Sequence, residues 1–516
     1  MINNRFEERN REFQKTLDPL DLQRRREEFA VELRKSKRLQ HLNKRRNIAE
    51  THHRTEFPPE LESTYPSLKS SSFNEKFQTL YSILTTECPS SDKLNALISL
   101  RLVMIQKDAP FRALINLGFA PIVLGYLSPE HDEDFQKESG LIVCNLASGP
   151  HPCVETLVRY GAIKQCLRVI NPSKLEVTEN AIWALGNISG ESPEYTKEVN
   201  NKGVLNLLIE LLKEWENSIT TRIARVSMWV VSNLVKNLYQ IDKFIDQLMS
   251  VIKSYMLKKD KELFVHCLWC LSSIAKGNDL VLQKLIDSKI LERIIHMDKL
   301  SKKALVPAIR TFGGVLSGSE EKTQFLLNLK VLDFLQECLK DNLSKIRKEA
   351  LWAVSNVAAG TVPQVQSLVE HPLVVLCVKS LLDSEVLVRR EASFVLMNAS
   401  IAGGDSSIKA LVNLGVFDYL VEALKNTVDQ VVILNLIKFC RGLLDLGQRE
   451  AHNKHAEENL FAGIFDSSGC IEAIESLQMH ASPRIQNEAL CLISDFFGFE
   501  ESSQPMTGAP EYFEFS

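Results

Sequence analysis

The sequence predicts an all-α fold, a right-handed superhelical solenoid of repeated helices, and three observations lead to this class. The chain has 516 residues, more than one compact core accommodates, so several domains or an elongated array are expected. Hydrophobic residues make up 45% and charged residues 24%, a composition that excludes a wholly disordered chain. Short apolar blocks that end on small residues recur at a nearly constant spacing. A stack of similar helical units satisfies all three observations.

Seven blocks of similar sequence define the repeat. Each is an apolar, helix-like segment, as in ENAIWALGNISGE at 179–191 and KEALWAVSNVAAG at 348–360. When the blocks are aligned on the small or polar residue near their ends, that position holds Asn145, Asn187, Asn233, Ser273, Gly314, Asn356 and Asn398. The successive spacings are 42, 46, 40, 41, 42 and 42 residues, within the range of armadillo and HEAT repeats.

The segments between the blocks complete each repeat. In KGVLNLLIELL at 202–212, a glycine ends one helix and apolar residues three and four apart begin the next. One such unit cannot bury its apolar faces alone, so neighbours are expected to stack and to form one long concave surface. Weaker copies extend the pattern in both directions, which predicts about ten armadillo repeats over residues 76–500.

The two ends of the chain differ from the repeats. Ten Lys or Arg and three Glu lie between Arg24 and Arg46, whereas the whole chain has a net charge of −4, so the remainder is acidic. We therefore expect a basic arm at 1–54 that binds another partner or folds back on the acidic body. Residues 55–75 are rich in Pro and Ser and are expected to form a flexible linker, and 501–516 a disordered tail.

No motif in the sequence points to an enzyme, a cofactor or a metal. A phosphate-binding glycine loop, HExxH and GxSxG are absent, and the histidines lack ligand spacing. Cys267 and Cys270 form a lone CxxC in an apolar, helix-like run without partner ligands. The polar N-terminus and the lack of a long apolar run predict neither secretion nor membrane insertion, which leaves the cytoplasm and the nucleus.

A ladder of aromatic and asparagine residues is the feature most indicative of function. Trp183 with Asn187, Trp229 with Asn233, and Trp352 with Asn356 are four residues apart, and so are Phe394 with Asn398 and Trp269 with Ser273. This spacing places both members of a pair on one face of a helix. For a single pair, core filling by the indole and helix capping by the amide would be the better explanation. The repetition at a fixed phase favours a binding surface.

The chemistry of this ladder indicates an extended basic peptide as its ligand. An Asn amide both donates to and accepts from a peptide backbone, so it holds a chain without reading its side chains. Neighbouring indoles form slots for Lys or Arg stems, each with about 0.5–2 kcal/mol of cation–π attraction. Acidic residues that could meet the charged heads lie near the same turns: Glu191, Glu320, Glu349 and Glu391.

These blocks, together with RRREEFAVELRKSKRLQHLNKRRN at 24–47, resemble the importin-alpha family over nearly the whole chain. The resemblance implies a nuclear import adaptor, mainly monomeric, with two sites for nuclear-localisation signals and no direct contact with nucleic acid. Its major site would comprise Asn145, Trp183, Asn187, Glu191, Trp229 and Asn233. Its minor site would comprise Trp269, Arg310, Glu320, Glu349, Trp352, Asn356, Glu391, Phe394 and Asn398.

The resemblance also implies partners at both ends of the chain. The basic arm would bind importin-beta as a helix, and Lys44, Arg45 and Arg46 would otherwise occupy the major site as a cargo mimic. The arm residues concerned are Arg24, Arg25, Arg26, Arg34, Lys35, Lys37, Arg38, Lys44, Arg45 and Arg46. Residues 484–501 resemble the region that the family uses to engage its nuclear export receptor, which implies shuttling between cytoplasm and nucleus.

Several positions depart from the family pattern. Leu141 stands where the family has a Trp, Glu191 replaces an Asp opposite the key lysine, and Val154 replaces a hydroxyl that helps to hold it. His266, Ser273, Lys276 and Gly314 also differ from the family's acidic, aromatic and Asn residues. We therefore expect weaker or differently selective binding at the major site. A specialised member with few cargoes, or an armadillo scaffold without transport function, remains an alternative.

Overall fold

The computed structural model describes residues 58–70, 72–105, 110–214, 219–236, 238, 241–297, 300–455 and 459–497. In these ranges the regular structure is helical throughout, without strands, which confirms the predicted all-α class. The chain divides into two compact units, one that ends at Val315 and one that begins at Leu316. The basic arm at 1–54 and the tail at 501–516 lie outside the described residues.

The first unit is a succession of short helices. In chain order they are α1 (Pro59–Thr64), α2 (Phe73–Thr85), α3 (Ser90–Met104), α4 (Phe111–Asn116), α5 (Phe119–Tyr126), α6 (Glu133–Ala147), α7 (His151–Arg159), α8 (Ala162–Val169), α9 (Leu175–Ser189), α10 (Pro193–Asn201), α11 (Val204–Glu214), α12 (Thr221–Val235), α13 (Ile245–Met256), α14 (Lys261–Ile274), α15 (Asp279–Asp287), α16 (Ile290–Ile295) and α17 (Lys302–Leu316). Two 3-10 turns, Pro66–Lys69 and Ile241–Lys243, precede α2 and α13.

The second unit continues the same kind of succession. Its helices are α18 (Glu320–Asn328), α19 (Val331–Leu339), α20 (Ser344–Ala358), α21 (Val362–Val369), α22 (Leu373–Lys379), α23 (Val386–Ala402), α24 (Gly404–Asn413), α25 (Val416–Asn426), α26 (Gln430–Lys454), α27 (Leu460–Ser468), α28 (Cys470–Ser476) and α29 (Pro483–Phe497). The 3-10 turns Ser380–Leu382 and Leu477–Met479 follow α22 and α28.

One helix of each repeat carries the block found in the sequence, and we call these the ladder helices: α6, α9, α12, α14, α17, α20 and α23. Within the first unit, α6, α9, α12 and α14 pack side by side in that order, and α20 and α23 pack against each other in the second. Their apolar faces are buried: Leu185 on α9, Val230 on α12 and Val354 on α20 are fully inaccessible to solvent. Stacking of neighbours therefore supplies the core that one repeat lacks.

A single left-handed residue joins the two helices that follow several ladder helices. Gly203, between α10 and α11, has φ of 79°, and Gly415 occupies the same position between α24 and α25 with φ of 73°. Glycine adopts this conformation without a steric penalty. Lys289 and Lys330 fill the equivalent turns of two other repeats at φ of 59° and 61°, where a side chain is strained.

The described part of the expected linker is helical. Residues 58–70 contain α1 and a 3-10 turn, and the side chains of Leu61 and Leu68 are 1% and 0% exposed. The abundance of Pro and Ser indicated a linker, but Pro59 lies in the first turn of a helix, where its missing N–H costs no hydrogen bond. Residues 58–70 therefore belong to the packed first unit.

Among the described residues, no single helix has both the length and the apolarity required to cross a membrane. One strongly bent pair, Val362–Val369 with Leu373–Leu382, meets the criterion only when the two helices are taken together.

Candidate peptide-binding site

The first unit brings two complete Trp/Asn pairs together on adjacent ladder helices. Trp183 and Asn187 lie on α9, and Trp229 and Asn233 lie on α12. The two indole ring centroids are 6.0 Å apart with 55° between the ring planes. Both indoles are partly exposed, so they offer aromatic surface to a ligand instead of filling the core. The slot predicted from the sequence would lie between these two rings.

The ladder asparagines also make a structural contact that the sequence analysis missed. The Nδ2 atom of Asn187 donates to the carbonyl oxygen of Cys144 on α6, at 3.1 Å. Asn233 donates in the same way to Gly186 on α9 at 3.3 Å, and Asn398 to Ser355 on α20 at 3.0 Å. Each acceptor precedes the ladder position of the previous repeat by one residue. The regular repeat spacing was the signal for this bond, because it places equivalent atoms together wherever successive repeats both follow the pattern.

This bond fixes the orientation of each amide. In Asn233 and Asn398, one Nδ2 hydrogen is committed to the neighbouring helix, and the carboxamide retains a second N–H and its oxygen. Nδ2 of Asn187 also donates to the sulfur of Cys144 at 3.7 Å, which leaves its oxygen for a ligand. A peptide main chain that lies along the helix presents N–H and C=O groups, which pair with the oxygen and the remaining N–H of such an amide. The bond to the neighbouring helix holds these amide groups in a fixed direction. Asn187 is only 5% exposed, so a peptide must lie close against α9 to reach it.

The second unit holds a similar pair of ladder helices with smaller aromatic surface. Trp352 and Asn356 lie on α20, and Phe394 and Asn398 lie on α23. Trp352 is partly exposed, whereas Phe394 is 7% exposed and offers little ring surface. We therefore expect Trp352 to provide most of the aromatic contact in this unit.

The acidic residues predicted for the second unit differ in their accessibility. Glu349 is 5% exposed, and its carboxylate lies 3.3 Å from the ammonium group of Lys348. Glu391 is half-buried near the start of α23, and Glu320 is exposed in the first turn of α18. The backbone carbonyl of Glu320 accepts a hydrogen bond from Nε2 of Gln364 at 2.8 Å.

Trp269 and Arg310 contact each other within the first unit. The guanidinium carbon of Arg310 lies 5.6 Å from the centroid of the Trp269 ring, a cation–π contact. The Arg310 guanidinium thus already covers the face of this indole. The other predicted minor-site residues, from Glu320 to Asn398, lie in the second unit. Ser273 donates to the carbonyl of Trp269 in its own helix at 3.3 Å, and so does not reproduce the Asn contact.

The missing asparagine at Gly314 has a steric cause. A Cβ atom at this position would lie 2.5 Å from the carbonyl oxygen of Ala275 and 2.8 Å from its Cβ. Backbone atoms cannot move aside as a flexible side chain can, so α17 approaches the end of α14 too closely for any side chain. The sequence identified this gap in the ladder, and the structure gives its reason.

The other predicted departures occupy distinct environments. Leu141 and Asn145 on α6 are both half-buried, so α6 presents an amide without an indole. Val154 on α7 is fully buried. His266 on α14 is 8% exposed, and Lys276 after it is exposed.

Glu191 has a neighbour that the repeat pattern does not reveal. Its Oε1 atom lies 3.5 Å from Nδ1 of His151, the first residue of α7. The Glu191 side chain is 20% exposed and the His151 side chain 59%. Burial and the carboxylates of Glu155, Glu198, Glu191 and Glu194 raise the pKa of the nearby Tyr195 hydroxyl. This end of the first-unit site is therefore strongly acidic.

Among the described residues, no group of three His, Cys, Asp or Glu side chains is arranged to hold a metal ion. Burial raises the pKa of both the Cys267 and the Cys270 thiols, so both are protonated at neutral pH. Protonated, buried thiols are neither nucleophiles nor metal ligands.

Comparison with known proteins adds to this geometry. The family model for an importin beta binding domain matches residues 9–96, and the model for an armadillo/beta-catenin-like repeat matches 150–190. The predicted arm residues, from Arg24 to Arg46, lie in the first match and outside the described residues. The first match continues through α1 and α2.

Curated relatives cover most of the chain. Importin subunit alpha-1b of Oryza sativa subsp. japonica is 27% identical over 79% of this chain and 76% of its own length. Importin subunit alpha-1a of the same organism is 26% identical over 96% of this chain and 93% of its own. Importin subunit alpha-3 of Arabidopsis thaliana is 26% identical over 97% and 95%.

A solved structure supports the fold. The crystal structure of an engineered protein is similar with a TM-score of 0.68 and 22% identity, over 81% of this chain and 98% of its own. At that identity the likeness bears on the fold alone. The chain thus combines a match to an importin beta binding domain with armadillo repeats, and it is similar over nearly its whole length to importin-alpha subunits.

Proposed function

We propose that this protein is a nuclear import adaptor, which binds basic nuclear-localisation peptides along its ladder helices and joins them to importin-beta through its basic arm. The observation that carries this proposal is the presence of both parts in one chain. Residues 9–96 match an importin beta binding domain, and the paired indoles and fixed amides of α9 and α12 suit a basic peptide. Either feature alone would fit several functions.

The first-unit site would bind the peptide by two separable contacts. Asn187 and Asn233 would hold the main chain through the amide groups that inter-helix bonds leave over, independent of sequence. Trp183 and Trp229 would select Lys or Arg, because an alkyl stem packs on the indole while the charged head remains near solvent. Glu191 would meet one charged head at the end of this site.

The second unit would bind a shorter basic segment. Trp352 and Phe394 would flank one side chain, with Asn356 and Asn398 on the backbone. Glu349 and Glu391 would attract its charge. The limited exposure of Phe394 favours binding dominated by a single Lys or Arg slot. Trp269 would contribute less than the other indoles, because Arg310 already covers it.

The arm would regulate the first-unit site. Lys44, Arg45 and Arg46 carry the charges that the slots select, so in the absence of importin-beta they would compete with cargo. Importin-beta would remove the competitor by binding the arm. After release of cargo in the nucleus, an export receptor would bind the C-terminal repeats and return the protein to the cytoplasm.

Peptide titration tests the proposal. A labelled lysine-rich localisation peptide would be titrated by fluorescence anisotropy with the full chain and with a chain that begins at residue 58. Truncation at 58 keeps Leu61 and Leu68, which are buried in the first unit. We expect tighter binding without the arm, and weaker binding by the chain beginning at residue 58 when it also carries Trp183→Ala and Trp229→Ala. Absence of binding by either chain, with a folded circular-dichroism spectrum, would exclude an adaptor for ordinary lysine-rich signals and would favour a specialised or non-transport role.

A specialised adaptor with few cargoes is the second candidate. The observation that favours it is the departure of three ladder helices from the Trp/Asn pattern: Leu141 lacks an indole, Ser273 bonds within its own helix, and Gly314 has no room for a side chain. Titration of a panel of localisation peptides distinguishes the two, since an adaptor of broad range would bind most of them with similar affinity.

A further inference from the structure

The contact between His151 and Glu191 places a titratable group of this chain on the carboxylate that the proposed site offers to cargo. His151 begins α7, and Glu191 follows α9, so the two residues come from consecutive repeats. Their side-chain atoms are 3.5 Å apart, within ion-pair distance when the imidazole is protonated. The imidazole ring also lies 5.9 Å from the ring of Tyr195 on α10, at 34° between planes.

We propose that His151 is a specificity-determining residue of the peptide site, which competes with the basic side chain of the cargo for Glu191. This inference rests on the proposed function. A carboxylate that already pairs with an imidazolium attracts a second cation less strongly, and the incoming lysine must replace or share that partner. A neutral imidazole does not compete in this way. Cargo affinity therefore depends on the protonation state of His151.

Val154 makes the site more dependent on this carboxylate. It lies on α7, three residues after His151, and is fully buried. Its side chain has no hydrogen-bonding atom, so it cannot accept a hydrogen bond from the ammonium group of the cargo lysine. Neutralising Glu191 thus removes a contact that Val154 cannot replace.

The charged groups around the pair attract cations in general. Glu155 lies on α7, and Glu194 and Glu198 lie with Tyr195 on α10. Arg112 lies on α4, which packs against α7. Imidazoles exchange their proton between pH 5 and 8, whereas glutamate, lysine and arginine keep their charge in that range. A change in peptide affinity across this range that requires His151 therefore reports its protonation.

The sign of the effect follows directly. A protonated imidazole competes with the cargo lysine for Glu191 and a neutral imidazole does not, so a lower pH can only weaken binding through this pair. We expect affinity for a lysine-rich peptide to rise by about two- to fivefold from pH 6 to pH 8, the scale of a partly exposed ion pair.

The test is anisotropy titration of a labelled lysine-rich peptide at pH 6, 7 and 8. It uses the full chain carrying Lys44→Ala, Arg45→Ala and Arg46→Ala, so that the arm does not compete. His151→Asn and His151→Gln in this background should bind with nearly constant affinity, close to that of the parent at pH 8. His371→Asn is the matched control, because His371 forms a similar pair with Asp333 in the second unit, with Nε2 and Oδ1 3.1 Å apart. It should keep the pH dependence.

The outcomes separate this inference from the function on which it rests. Equal affinity at all three pH values in the parent, or an unchanged slope in both His151 variants, would overturn the role of His151 and leave the adaptor function standing. Absence of peptide binding at every pH would overturn both the binding of ordinary lysine-rich cargo and this inference, which rests on it. Circular-dichroism melting of each variant shows whether it is folded.

Discussion

A ladder asparagine combines stacking and recognition in one side chain. The amide of Asn233 holds α12 to the carbonyl of Gly186 on α9, and the same bond orients the rest of the amide. Fixing a group before the ligand arrives lowers the entropy lost on binding. The two explanations weighed from the sequence, a structural role and a binding surface, therefore apply to the same atoms.

Substitution at Asn233 separates the two roles. Asn233→Ala removes both, and we expect it to weaken peptide binding by about 1–3 kcal/mol and to lower the free energy of unfolding by about 1 kcal/mol. Asn233→Asp keeps an acceptor for the peptide N–H but loses the donor to Gly186. It should lose stability as the alanine variant does and retain more peptide affinity.

Urea denaturation and anisotropy titration measure the two quantities. Asn398→Ala is the matched control, since it breaks the equivalent bond to Ser355 in the second unit. It should lower stability and leave the affinity of the first-unit site unchanged. Unchanged stability in both alanine variants would mean that these bonds make no net contribution to stacking.

The turn between the second and third helices of a repeat contains a strained residue in two of the repeats. Lys289 and Lys330 adopt the left-handed conformation that Gly203 adopts without cost. We expect Lys289→Gly and Lys330→Gly each to raise the free energy of unfolding by about 1 kcal/mol, because relief of the strain exceeds the entropy that glycine adds to the unfolded chain. Gly203→Ala should lower it by a similar amount. Urea denaturation checks all three, and a destabilised Lys289→Gly would contradict the steric argument.

The start of α14 is held to α12 by a charged contact. Asp260 accepts from the backbone N–H of Leu263 at 2.8 Å, and its oxygens accept from Nε of Arg225 at 3.0 and 3.1 Å. The hydrogen bond and charge of Arg225, with the helix N–H groups, hold the pKa of Asp260 below its usual value despite partial burial. Arg390 makes an equivalent contact with Asp429 at the start of α26.

The sign of the pH dependence follows from the lowered pKa. A carboxylate with a lower pKa in the folded state stabilises the fold above the unfolded value of about 4, and loses that contribution as pH falls through the folded value. Asp260→Asn should therefore be less stable than the parent at pH 7, and the difference should shrink below pH 4. Urea midpoints at both pH values measure it. Asp246→Asn, which removes an exposed pair with Lys284, should change little.

At the scale of the whole molecule, sequence periodicity predicted most of the fold. Helices, their spacing and the Trp/Asn ladder follow from which residues recur, because a repeated helix must bury the same face each time. The packed segment at 58–70 was missed, since Leu61 and Leu68 are too few to show a period. The contact of His151 with Glu191 was also missed. It joins residues forty positions apart, and the geometry of two turns, which periodicity does not report, determines their distance.

The arm is basic and the remainder of the chain is acidic, so competition between the arm and cargo involves the whole chain. If the cluster Lys44-Arg45-Arg46 competes with cargo, replacing it with alanines should raise the cargo affinity of the full chain. A tenfold increase would mean that the arm occupies the site about nine-tenths of the time. The chain that begins at residue 58 lacks Lys44, Arg45 and Arg46 altogether, and it should already bind cargo with the higher affinity.

Arg24, Arg25 and Arg26 supply the matched comparison, since they carry the same charge in the same arm. Their replacement with alanines should weaken importin-beta binding and leave cargo affinity nearly unchanged, if the competition is local. If it is instead a long-range attraction between a basic arm and an acidic body, both triple variants should raise cargo affinity alike. Such a long-range effect would also disappear at 0.5 M salt, where charges are screened within a few ångströms. Anisotropy titration of both variants at 0.1 M and 0.5 M salt therefore distinguishes a cargo mimic from a diffuse electrostatic arm.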